Sequence, residues 1–183
     1  MAPPRWNVSA GAVLLFALLY FFDDAGWVAA LVPAVLAHEL GHAAVLRLCR
    51  ARLRRISVGV FGIEMEYAGV LSGMETLLAL AAGPAAGLIY AVTACSTGTA
   101  YGSLSGALSF CLSVLNLLPA LPLDGGRIVA ELAGERVATV FSRVSALALT
   151  VGGAALLILR RAPALLAGGL WLLAYSHRET DGP

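Results

Sequence analysis

Apolar residues in this chain fall in long runs, not in alternation. Residues 10–22 are continuously apolar and end at Asp23-Asp24. Residues 27–48 form a second run, interrupted near its middle by three ionisable side chains. Residues 75–94 and 104–118 are a third and a fourth, and 145–159 and 164–175 a fifth and a sixth, joined at Arg160-Arg161-Ala162-Pro163. Runs of this length predict helices that cross a lipid bilayer, the first and last of them short. Two stretches differ. Residues 56–71 carry Gly59, Gly62 and Gly69 among Val58, Val60, Phe61, Ile63 and Tyr67, which predicts a short β-hairpin, 57–61 against 63–68, at or in the membrane surface. Residues 128–143 mix Glu131, Glu135, Arg136 and Arg143 with apolar positions and predict an amphipathic helix at the cytoplasmic face. The expected fold class is an all-α membrane protein of about six transmembrane helices, with the hairpin between the second and third. The expected organisation is a single domain over 1–183, with a three-helix core at 27–130 flanked by 1–26 and 131–183.

Composition agrees. Of 183 residues, 60% are hydrophobic and 13% charged, and mean hydropathy is +0.86. A formal net charge of +1 gives no electrostatic case for nucleic acid. All twelve basic residues are arginine. Arg47, Arg50, Arg52, Arg54 and Arg55 cluster after the second run, which marks that end as cytoplasmic and suits anionic lipid headgroups. With six spans, Arg5, Arg127, Arg136, Arg143 and Arg178 fall on the same side and only Arg160 and Arg161 opposite, so both termini are expected inside. Cys49, Cys95 and Cys111 are odd in number and far apart, and are expected to be buried apolar residues, neither disulfides nor ligands.

The chemistry lies in the second run, at His38-Glu39-Leu40-Gly41-His42. Residues four apart on a helix share a face, so both imidazoles can reach one metal ion, and Glu39 sits beside its open side. A zinc ion there would acidify water, with Glu39 taking the proton as the water attacks a carbonyl. Five residues with two free positions also match by chance. Three ionisable side chains inside an apolar run, however, are costly without a task. Catalytic zinc usually takes a third protein ligand. Asp124 is the first choice, because it follows an apolar span inside Pro119-Ala-Leu-Pro122-Leu-Asp124-Gly-Gly, where the broken backbone must line a cavity or be buried in protein. Glu64 and Glu66, 22 and 24 residues past His42, compete, but they lie on predicted strand. Gly83-x-x-x-Gly87 and Gly98-x-x-x-Gly102-x-x-x-Gly106 read as close helix packing. The hairpin is open to two readings, a plain connection or an edge that pairs with an extended substrate.

His-Glu-Leu-Gly-His in one span, followed by Asn116-x-x-Pro119-x-x-Pro122-Leu-Asp124-Gly, resembles the site-2 protease family of intramembrane zinc metalloproteases. The arginine-rich stretch, the Phe61-Gly62 hairpin and the Gly83-Pro84 span resemble its sporulation stage IV factor B group from spore-forming bacteria. The resemblance covers about residues 27–130. It implies zinc held by His38, His42 and Asp124, Glu39 as general base, and Asn116 holding the substrate backbone or the oxyanion. Pro122 would shape the turn that presents Asp124; with Phe61, Gly62 and Ile63, taken from the edge reading of the hairpin, it makes up the candidate substrate contacts. The resemblance also implies a bacterial membrane location and a membrane-associated substrate whose helix unwinds locally, such as the pro-sequence of a sporulation sigma factor, with inhibitory membrane partners. Two departures stand out. Many members carry Asn three residues after the Gly-Pro, where this chain has Gly87. The soluble nucleotide-sensing domain of some relatives is not seen, so control by ATP through it is not expected. The rivals are a silent membrane binding protein and a metal or proton transporter. The first is disfavoured by the intact His38, Glu39, His42 and Asp124. The second is disfavoured by the lack of an internal repeat and by how few other intramembrane ionisable groups there are.

Overall fold

Residues 5–59, 62–161 and 164–178 are described by the computed structural model. Among them run β1 (Arg5–Val8), α1 (Ala10–Phe21), α2 (Trp27–Leu48), β2 (Arg52–Gly59), β3 (Gly62–Ala68), α3 (Gly73–Cys95), α4 (Ala100–Asn116), α5 (Asp124–Ala133), α6 (Glu135–Arg160) and α7 (Ala164–Arg178). They gather into two units, residues 1–113 and 114–183. Three helical stretches, α2, α3 and Glu135–Leu159, are long and apolar enough to cross a membrane. With 12, 17 and 15 residues, α1, α4 and α7 fall short of the roughly 20 that a crossing needs.

In the first unit, α2 and α3 pack together. Asp23 supplies the start of α2, since its two carboxylate oxygens accept from the backbone N–H groups of Trp27 and Val28 at 2.8 and 2.7 Å. A capping box between Ser72 and Glu75 starts α3 two residues before the expected Glu75. Along α4, Ser105, Ser109 and Ser113 recur at helical spacing and are fully buried. Ser105 donates to the carbonyl of Ala30 at 2.7 Å and Ser109 to that of Gly87 at 2.8 Å. Small side chains let helices approach, and their hydroxyls then find backbone acceptors. Gly98 does not share this packing role; it is a turn residue at φ +66° with open space around its α-carbon.

The all-α expectation needs correction, because β1, β2 and β3 form a three-stranded sheet in that order. The predicted hairpin is present and longer than expected, antiparallel from Arg52↔Ala68 to Gly59↔Gly62, with an irregularity between Leu53 and Arg55. Much of the arginine cluster is therefore strand. β1 joins β2 in parallel, Arg5↔Arg55 to Val8↔Val58. Four residues show no periodicity of their own, and their partners lie fifty positions away.

In the second unit, α6 and α7 pack on each other and α5 packs on α6, around buried Ala120, Ala146 and Leu172. The expected amphipathic helix over 128–143 is divided. Gly134, at φ +89°, ends α5, and everything from Glu135 to Arg160 is one helix of 26 residues. The cysteines also differ from expectation. All three are free, but Cys95 and Cys111 are exposed and Cys49 half-buried. On an apolar helix the outward face meets lipid, so an apolar side chain need not point into protein.

Candidate metal centre

His38 and His42 stand one turn apart on α2. Their Nε2 atoms are 3.2 Å apart, with ring centroids 4.8 Å apart and planes at 79°. Two nitrogens bound tetrahedrally to one zinc at ~2.0–2.1 Å lie roughly 3.3–3.4 Å from each other, so the pair already has the spacing that one ion requires. His38 is buried. The orientation of His42 is fixed from α3. Its Nδ1 lies 2.8 Å from the carbonyl oxygen of Ala79, and a carbonyl only accepts, so Nδ1 carries the proton and Nε2 is left with its lone pair. Gly83 lies one further turn along α3, and any Cβ there would overlap the His42 ring. The Gly83-Pro84 pair thus has a local purpose beyond helix packing, as it makes the slot for the imidazole. Gly41 lies as close to Ala82 and Ala86 of α3.

Asp124 opens α5 and is buried. It is reached through a loop with Pro119, a cis peptide bond at Leu121-Pro122, and half-buried Pro122. The loop backbone is held by α6, where the Ser142 hydroxyl accepts from the N–H of Leu121 and donates to the carbonyl of Ala138, both at 2.8 Å. Gly125 and Gly126 bring the start of α5 against the loop backbone, where a Cβ would overlap Leu117 and Ala120. Lacking a Cβ, these two glycines let the backbones approach this closely.

Among the described residues, His38, His42 and Asp124 form a potential metal-binding group. Two imidazoles and a carboxylate are a donor set that suits zinc and leaves a place for a reactant. Glu39, half-buried, directly follows His38 on the same helix, and Asn116 is the half-buried last residue of α4. Glu66, the alternative ligand, instead pairs with Arg55 at 3.6 Å. Gly62 and Ile63 open β3 opposite Gly59 and Val58, and Phe61 lies outside the described residues. Sequence reasoning missed the Ala79 carbonyl and Ser142. A backbone acceptor carries no sequence signal, and a serine within a helix of 26 residues is indistinct.

Residues 96–159 match the model of peptidase family M50. Over 186 residues the chain is 31% identical to Rip3 of Mycobacterium tuberculosis, named among zinc metalloproteases, covering 85% of this chain and 44% of Rip3. Over 123 residues it is 29% identical to sll0528 of Synechocystis, named likewise, covering 58% of this chain and 32% of that protein. The chain thus spans less than half the length of these curated relatives. Its fold is that of the site-2 protease from Methanocaldococcus jannaschii, with a TM-score of 0.68 at 20% identity over 97% of this chain and 91% of that one. The family model thus covers about a third of the chain, and the likeness to the solved structure shows the fold.

Proposed function

We propose that this chain is an intramembrane zinc metalloprotease that hydrolyses a peptide bond in a membrane-associated protein. One observation carries the reading: His38 and His42 bring their Nε2 atoms to 3.2 Å, the spacing of two ligands on one ion, with His42 oriented by the Ala79 carbonyl and Asp124 as the candidate third donor. Zinc held there would supply Lewis acidity to water and to the scissile carbonyl. The Glu39 carboxylate then accepts the proton of the attacking water and returns it to the leaving amine. Asn116 holds the substrate backbone or donates to the developing oxyanion. Pro122 shapes the turn before Asp124. On the far side of β3 from β2, no strand pairs among the described residues, which supports this edge, with Gly62 and Ile63 at its start, as the place where unwound substrate adds a strand; Phe61, which precedes Gly62 in the sequence, is the further candidate contact.

In this reading the chain is one protease domain with six spans and both termini cytoplasmic, the short helices α1, α4 and α7 included. The first substrate to try is a sporulation sigma-factor pro-sequence, because the arginine-rich stretch, the hairpin and the Gly83-Pro84 span share that group's pattern. The test is co-expression with a tagged pro-sigma factor, comparing wild type with Glu39→Gln and measuring zinc in both purified proteins. Cleavage by wild type alone, with about one zinc in each protein, is expected. Cleavage by Glu39→Gln would remove Glu39 as the base. Absence of zinc from wild type would remove the metal site. Wild type holding zinc yet cleaving nothing would move the search to other membrane substrates, such as anti-sigma factors.

A further inference from the structure

The serines that follow one another along α4 differ in what their hydroxyls meet. Ser105, Ser109 and Ser113 are all fully buried. Ser105 donates to the Ala30 carbonyl at 2.7 Å and lies 2.8 Å from the Tyr90 hydroxyl, and Ser109 donates to the Gly87 carbonyl at 2.8 Å. The Ser113 hydroxyl has no hydrogen-bond partner among the described residues. An acceptor was at hand on its own helix. A helical serine or threonine can bond the carbonyl four residues before it, as Ser142 and Thr150 do on α6. Ser113 is turned against Gly87 instead. A buried hydroxyl left unpaired lowers stability, and packing does not account for it, because alanine would fill nearly the same space.

The position of Ser113 does account for it. Ala79, Gly83 and Gly87 form one stripe on α3, each four residues from the next. The Ala79 carbonyl fixes the His42 ring, Gly83 leaves room for that ring, and Gly87 leaves room for the Ser113 hydroxyl. A Cβ on Gly83 would overlap His42 Nε2, the candidate metal-binding atom, and a Cβ on Gly87 would overlap Ser113 Oγ. Two such Cβ positions lie about 5–6 Å apart. The unpaired hydroxyl therefore occupies the niche one turn along α3 from the metal-facing imidazole. An extended peptide advances about 3.3 Å per residue. A peptide held at the metal by one carbonyl thus has its next backbone groups, about one or two residues on, at the height of Ser113.

We propose that Ser113 is a substrate-positioning residue whose hydroxyl donates to a backbone carbonyl of the unwound segment beside the scissile bond. A helix opened within an apolar layer loses its own hydrogen bonds and meets little water, so each bare backbone group needs a protein partner. Ser113 supplies one without first breaking a bond of its own, since a turn about χ1 takes the hydroxyl off Gly87. What it recognises is main chain, so the contact suits an unwound apolar segment whatever side chains that segment carries at this point. The inference rests on the protease reading of the metal centre and adds a substrate contact on α4, separate from the sheet edge.

The test uses the purified full chain, loaded with zinc, and two probes. Acetohydroxamate offers a metal-binding group alone, and a dileucyl hydroxamate adds a short peptide to the same group. Affinity for each, and thermal melting without ligand, are read in wild type, Ser113→Ala and Ser109→Ala. The dileucyl compound should bind wild type more tightly than acetohydroxamate does. Ser113→Ala should weaken the dileucyl compound about 2–10-fold and leave acetohydroxamate unchanged. It should also melt above wild type, because an unpaired buried hydroxyl is gone. Ser109→Ala, which loses a paired hydroxyl, should melt below wild type and keep both affinities. Equal affinity of the dileucyl compound for wild type and Ser113→Ala would overturn the inference. An equal loss with acetohydroxamate would place the effect at the metal, with the same consequence. A lower melting temperature for Ser113→Ala would mean that the hydroxyl has a partner in the resting chain, and wild type that holds zinc but binds both compounds alike would mean that no peptide is held; either overturns the inference. Wild type without zinc, by metal analysis, would overturn the protease reading itself and this contact with it.

Discussion

The two sources of candidate metal donors are built by opposite means. His38 and His42 ride on a regular helix of 22 residues, whose own 3.6-residue period puts them on one face. Asp124 stands at the end of a loop with two prolines, and that loop keeps its shape through a serine on another helix. The histidine pair needs its neighbour α3 only to trim the geometry: a carbonyl fixes one ring and a glycine clears its space. The aspartate depends on its surroundings for its position altogether. A local period is robust, whereas a position held by Ser142 and Ser145 of another helix and by close glycine packing changes with those neighbours.

Substitutions can break this contrast, beginning with the largest effect. Replacing Gly83 with valine puts a side chain where the His42 ring lies. Zinc content should fall below detection and cleavage with it, as read by metal analysis of protein that remains in the membrane fraction. Normal zinc would show that the ring has another place to go. Next comes Ser142→Ala, which leaves the buried Leu121 N–H without its acceptor at a cost of about 1–3 kcal/mol. Zinc affinity should drop about 10–100-fold, as for other groups that orient a ligand from behind. The His38–His42 spacing should stay intact, so a second metal probe such as cobalt should still report two nitrogens. If affinity holds, the loop is supported by more than this tether.

Two smaller changes sharpen the comparison. Gly87 faces the Ser113 hydroxyl, which has no hydrogen-bond partner among the described residues. Gly87→Ala should overlap it and lower thermal stability by about 1–3 kcal/mol, and Ser113→Gly in the same chain should restore most of the loss. Failure of that rescue would mean that the strain lies elsewhere. Asp23→Ala removes both acceptors at the start of α2 and should cost about 1 kcal/mol with zinc binding unchanged. A change in zinc affinity would show that the histidine pair is less independent of its surroundings than its helix suggests.

Much of this was legible in the sequence because it rests on short-range rules. The expected bounds of the histidine helix, 27–48, coincide with α2, since an apolar run bounded by a capping aspartate and a basic cluster leaves little freedom. The joining of 135–160 into one helix was less legible. Its arginines lie on one side of a helix that turns apolar later, and charge was read there as a change of element. Gly134 marked the true boundary, and a lone glycine within a helical pattern is a weak signal.

From sequence alone follow the paired imidazoles with Glu39 between them, the apolar runs, the hairpin and the singling out of Asp124. Each depends on residues within a few turns of one another or on composition. Tertiary structure alone decided that Arg5–Val8 is a strand, that Gly83 is the slot for His42, that the Ala79 carbonyl sets its tautomer and that Ser142 holds the Asp124 loop. These are meetings of backbone groups and small side chains far apart in the chain. Backbone donors and acceptors are the same at every position, so only the fold can select which of them meet.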